Sequence, residues 1–253
     1  MAWNEKHGNI LSNILEKFNE HNIKYFILRN YEGLPNINPS KDVDIIVEPS
    51  SVRIAKDILK SVYKDCGLSY YYKAQFAKLY CFHGMDIVSE IGIHIDIIGS
   101  YVSKGSEIFS FDEMYKNTET YDGLRVLNEF FEGVMVFIYK QFNYRPILKK
   151  EYQDIIYNTH KQYPEFKKLI SKLIGSVLAE KIFLQIEKQD FDMMLVYSDD
   201  LTKALKRFAI RKSPLKAVKY TTEFYLDKLN RIVFRYRKYS KVFSVMAPDG
   251  AGK

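Results

Sequence analysis

Two aspartates, Asp42 and Asp44, stand at the head of an otherwise apolar run, DVDIIV, and a third, Asp96, stands alone among isoleucines in GIHIDIIG. A strand rarely tolerates this, because a carboxylate held away from water without a partner costs far more than the strand gains. Such side chains face either water or a cation. Successive residues on a strand alternate faces, so Asp42 and Asp44 point the same way, roughly 6–7 Å apart, with Val43 and Ile45 on the opposite, packed face. Two carboxylates converging from one side suit Mg²⁺, a hard cation that takes oxygen ligands. Asp96 on a neighbouring strand would complete the set, and a shared metal accounts for both strands at once. For an Asp-x-Asp taken singly, a solvated strand edge is the competing account.

The surrounding pattern predicts an α+β arrangement around one mixed sheet, followed by an all-helical region. GNILSNILEKFNEHN puts Ile10, Leu11, Ile14, Leu15 and Phe18 on one helical stripe. The strand KYFILR, a Gly/Pro/Asn-rich loop, DVDIIV and a Ser-capped helix closed by Gly67 come next. The runs LSYYYK, AKLYCFHG, MDIV and GIHIDIIG read as further strands, with His83 at a turn. From about Phe111 to about Tyr239 the apolar spacing is helical throughout, with Pro146, Pro164 and Pro214 at the breaks. The expected divisions are 1–115, 116–240 and a terminal stub, 241–253.

Strand, loop, DVDIIV, helix and a later strand with one aspartate resembles the polymerase-β-like nucleotidyltransferases. YFILRNYEGLP…KDVDIIV is similar to the nucleotidyltransferase parts fused to thymidylate-kinase-like domains in bacterial surface-polysaccharide clusters. The resemblance covers roughly residues 8 to 115. It implies that Asp42, Asp44 and Asp96 are metal ligands for two Mg²⁺ ions and form the catalytic set, Asp96 also helping to deprotonate an acceptor hydroxyl. A nucleoside triphosphate would be the donor, and a sugar, glycan intermediate or small phosphorylated metabolite the acceptor. Where that superfamily places Gly-Ser or Gly-Gly after the first strand, this chain has Arg29-Asn30. A guanidinium can hold phosphate in bidentate fashion, and Lys41 is a second phosphate candidate beside a solvated loop role. Helical residues Lys140, Arg145, Lys149, Lys150 and Tyr152 form a further basic group of the kind that contacts phosphate or base in that superfamily. His94, two residues before Asp96, is read as a hydrogen-bonded strand histidine.

The end of the chain, VFSVMAPDGAGK, carries most of a phosphate-binding loop, with Gly250, Gly252 and Lys253 in place and Ala247 at the first glycine. It resembles the opening of a thymidylate-kinase-like domain. On that reading the chain is the front part of a longer design whose kinase-like domain is its partner. The alternative to an enzyme is a catalytically degenerate fold that binds nucleotide or glycan and regulates that attached domain.

Charge and cysteine usage bound the remaining classes. The net charge is +7, yet 13 Lys/Arg against 2 Asp/Glu lie between Lys203 and Lys241, leaving 25 basic and 29 acidic residues elsewhere. That stretch suits phosphate, anionic lipid or an acidic protein surface, and equally a solvated helix face. No nucleic-acid module pattern accompanies it, so nucleic acid ranks low among partners, as does peripheral membrane contact. Two cysteines, no signal-peptide pattern and no bilayer-length apolar run point to a reducing cytoplasm.

Overall fold

The computed structural model describes residues 3–38, 42–75, 78–86, 88, 91–141 and 148–235. Helix α1, Glu5–Glu20, is capped by Asn4, whose side chain accepts from the amides of Lys6 and His7 while the His7 ring accepts from the Asn4 amide. Its apolar stripe is buried as expected. Strands β1, Tyr25–Ile27, and β2, Asp42–Val47, precede α2, Val52–Asp65. Ser51 occupies the α2 cap position without a side-chain cap bond; its hydroxyl donates to Glu48 instead, at 3.5 Å. Gly67, at φ +73°, ends that turn in the left-handed conformation a residue without Cβ adopts most readily.

Strands β3, Ser69–Gln75, β4, Leu79–Asp86, and β5, Ile91–Ile98, follow. LYCFHG and the start of MDIV therefore belong to one strand, and His83 lies inside β4 rather than at a turn. A short helix, α3, Phe111–Tyr115, then leads into β6, Thr118–Tyr121, and β7, Leu124–Leu127. This hairpin falls where the sequence pattern reads as helix. Its loop is Asp122-Gly123, with φ of +46° and +79°, the geometry a two-residue hairpin needs. All seven strands form one sheet in the order β3-β4-β5-β2-β1-β7-β6. The pairs β2–β5 and β1–β7 are parallel and the others antiparallel. The sheet thus continues past residue 115.

The remaining described helices are α4, Glu129–Gln141, α5, Lys150–Gln162, α6, Pro164–Ile174, α7, Ser176–Glu187, α8, Phe191–Val196, α9, Ser198–Lys212, and α10, Pro214–Arg235. Pro164 and Pro214 open helices, where a missing N–H is harmless. Gly175, at φ +88°, divides one apolar run into α6 and α7. No described helix is long and apolar enough to cross a membrane.

Two cores result, one on each sheet face. Residues such as Val43, Ile45, Ile95 and Phe82 join α1 and α2 in the first. Phe26, Leu28, Ile46 and Ile98 face the other way, toward the helical region and α4, where Val134 to Tyr139 are buried in succession. Helix α4 packs closely on α5 at Gly133, where an added Cβ would collide with Thr159. The helical region also reaches back to the loop after β5. Tyr220 donates to Ser100 at 3.1 Å, and Lys216 pairs with Glu107 at 2.9 Å.

Candidate active site

The polar side chains gather on the sheet face opposite α1 and α2. Parallel pairing sets Asp42 opposite His94 and Asp44 opposite Asp96. Antiparallel pairing of β5 with β4 then sets Cys81 opposite Asp96 and His83 opposite His94. Alternation makes these cross-strand neighbours share a face. One row runs Asp44, Asp96, Cys81; the next runs Asp42, His94, His83. The three aspartates singled out from sequence are therefore brought together by register.

Arg29 reaches the same place because the chain leaving β1 is held beside β2: the Leu28 amide donates to the Asp44 carbonyl at 3.0 Å. Its guanidinium binds Asp44 Oδ2 through Nε and Nη2, both at 2.9 Å, and Nη1 donates to the Tyr152 hydroxyl at 3.3 Å. The expected phosphate donor is thus engaged by Asp44 and Tyr152. Burial pushes the Asp44 carboxyl above its usual range; Arg29 opposes that, while Asp42 and Asp96 add like-charge repulsion in the same upward direction. Burial alone would lower the Arg29 guanidinium, but Asp44, with Tyr101 and Tyr152 nearby, carries it above its ordinary value. His94 Nε2 lies 2.8 Å from Asp96 Oδ1, and its hydrogen bonds to Asp96 and Cys81 push it up to about 10.

Two cavities share residues with this site. One, of about 250 Å³, lies between the chain leaving β1, the loop after β5 and α4, and is lined by Arg29, Tyr101, Ser103, Glu132 and Tyr139 among others. Glu132 accepts from the Tyr31 hydroxyl at 3.2 Å. Burial, then Glu32, pushes it up to about 7, against the hydrogen bond from Tyr31. The second cavity, of about 300 Å³, is walled by Tyr71, His83 and His94. Tyr71 stacks on His83 at 4.6 Å and His83 on His94 at 4.1 Å between ring centroids.

Asn30 follows Arg29 with φ +54° and is half-buried. Lys41, Arg145 and the loop residues Gly250, Gly252 and Lys253 lie outside the described residues. Lys149 and Lys150 are exposed and pair with Glu151 and Asp154. Of that helical group, Tyr152 touches the site through Arg29, while Arg145 and the Lys140 side chain are not among the described residues. Glu132 and Cys81 were missed by sequence reasoning. Glu132 carries the signal already used for Asp96, a carboxylate embedded in an apolar run, here FFEGVMVF. Cys81 gives no such signal, since only the β4–β5 register places it beside Asp96.

The donor set fits a hard dication. Arg29 occupies Oδ2 of Asp44 and His94 occupies Oδ1 of Asp96, so each carboxylate keeps a second oxygen. The like charge of Asp42 and Asp96, which adds to burial in raising Asp44, is also charge a dication would neutralise.

Fold and site together define a mixed-sheet α+β protein with an acidic, cavity-flanked face closed over by helices. No protein-family profile matches the chain, and no curated protein matches it. Two solved structures from Helicobacter pylori align with it. One, provisionally assigned as a nucleotidyltransferase, is 12% identical, with TM-score 0.44, over 92% of this chain and 97% of its own. The other, the protein JHP933, is also 12% identical, with TM-score 0.41 and the same coverage.

Proposed function

We propose that this protein transfers a nucleoside monophosphate from a triphosphate to a hydroxyl or phosphate acceptor, with Asp42, Asp44 and Asp96 as the ligands of Mg²⁺. One observation carries the reading: the β2–β5 register that lays three carboxylates on one sheet face beside a cavity containing a guanidinium. Bound Mg²⁺ would neutralise donor phosphate charge and polarise the phosphorus under attack. The protein's own contribution is placement. Arg29 fixes the Asp44 carboxylate and brings positive charge to the cavity mouth. Tyr152 holds the far end of that guanidinium. Asp96, beside both an imidazole and the acidic pair, is positioned to take the acceptor's proton. The cavity lined by Arg29 and the cavity lined by His94 give donor and acceptor separate approaches. A surface-glycan acceptor and a kinase-like partner domain rest on the sequence resemblance.

A second reading, a degenerate binding module, draws on the Arg29–Asp44 ion pair, which already neutralises one ligand. Calorimetry with ATP, CTP, GTP and UTP, with and without Mg²⁺, separates the two. The enzyme requires Mg²⁺-dependent binding abolished in Asp42→Asn with Asp44→Asn, and pyrophosphate release with an acceptor. Binding indifferent to Mg²⁺ and to those substitutions overturns it in favour of the module.

A further inference from the structure

Cys81, His94 and Asp96 each offer a ligand atom, and these atoms all lie within 4.8 Å of one another. We propose that they form a site for a thiophilic divalent transition metal of the zinc class, with an open fourth position. The inference does not rest on the transferase reading.

The chemistry of the three side chains sets the metal class. Mg²⁺ takes oxygen and leaves a thiol and an imidazole idle. Thiolate and imidazole together favour zinc, cobalt or iron, and three protein ligands with one open position is the pattern of a reactive rather than a purely structural site. The geometry is close to what such an ion needs. Zinc–ligand bonds of roughly 2.0–2.3 Å put tetrahedral ligand atoms roughly 3.3–3.8 Å apart. Here the His94–Asp96 separation of 2.8 Å must open slightly, while no separation in the trio exceeds 4.8 Å.

The ligands are also held in place before any ion arrives. Cys81 and Asp96 are register partners on paired strands, and His94 is one alternation away from Asp96 on the same face. His83 stacks on the His94 ring and Tyr71 backs His83, which limits imidazole rotation. The cavity walled by His83 and His94 supplies an approach and room for an exogenous fourth ligand. Neither cysteine is in a disulfide. An ion seated here draws on Asp96, so where the transferase reading also holds, zinc competes with Mg²⁺ for that carboxylate.

The test is a Co²⁺ titration of the Cys66→Ser protein, which leaves Cys81 as its single thiol, followed by absorption of the thiolate-to-cobalt charge-transfer band. The expected result is a stoichiometric band, displaced by Zn²⁺. Adding Cys81→Ser should remove the band, and His94→Ala or Asp96→Asn should weaken apparent affinity by at least the roughly 10–100-fold that losing an outer-shell partner costs. Circular dichroism melts establish which variants fold. Should the Cys81 variant fail to fold, the His94 and Asp96 variants decide the matter. Absence of a band in the folded Cys66→Ser protein, or affinity unchanged by His94→Ala and Asp96→Asn, overturns the site. Nucleotide binding plays no part in the readout, so its failure and the failure of the transferase reading are separable.

Discussion

At the scale of single residues, the Arg29–Asp44 pair dominates. The Asp44 side chain is 10% exposed, so removing the guanidinium strands a buried negative charge. Arg29→Met should cost about 3–5 kcal/mol in urea unfolding, and Asp44→Asn in the same chain should restore much of the loss. Glu132 gives a prediction with a defined pH window. Burial pushes it up to about 7, above the ordinary glutamate value of 4.5, so the unfolded chain releases this proton first. Below pH 4.5 both states hold it and the group contributes nothing. Between 4.5 and 7 folding is progressively disfavoured, and above 7 the full cost is present. Glu132→Gln should therefore leave stability unchanged at pH 4 and raise it by about 1–3 kcal/mol at pH 8, read from denaturant melts at the two pH values.

At the scale of elements, close packing of α4 on α5 depends on one missing Cβ. Gly133→Ala drives a methyl into the Thr159 side chain, its hydroxyl first, and should cost about 1–3 kcal/mol in thermal or urea denaturation; Gly133→Ala with Thr159→Ala, which removes that hydroxyl, should recover part of it. The elements differ in how legibly the sequence announces them. The α1 and α2 stripes and the strands DVDIIV and GIHIDIIG are plain, because each is long enough for its period to show. The hairpin of β6 and β7 is not, because four-residue strands barely establish an alternation and helical spacing resumes directly after them. Asp122-Gly123 was the available signal. The merged β4 was obscured by Gly84, which interrupts the apolar pattern where Tyr63 and Leu68 press against the backbone. Within the site, lone carboxylates in apolar strands were visible as an anomaly of burial. Which of Arg29's possible partners it would choose was not, since that depends on how β1 exits beside β2.

At the scale of the whole molecule, the helical region is fastened to the sheet through the loop after β5. Tyr220→Phe leaves the Ser100 hydroxyl without its buried partner and should cost about 1 kcal/mol, with faster hydrogen exchange expected along α10 and that loop. Outward from this anchor, Leu215, Leu226, Leu229 and Ile232 are exposed along α10. The pairing of β2 with β5 has a further consequence. Because side chains alternate, deleting one residue ahead of Asp44 would turn the acidic positions into the isoleucine core and thrust isoleucines into the cavities. The fold and the gathering of the three carboxylates would be lost by the same slip. A change of length within either strand is therefore far more disruptive than one in the loops that join them.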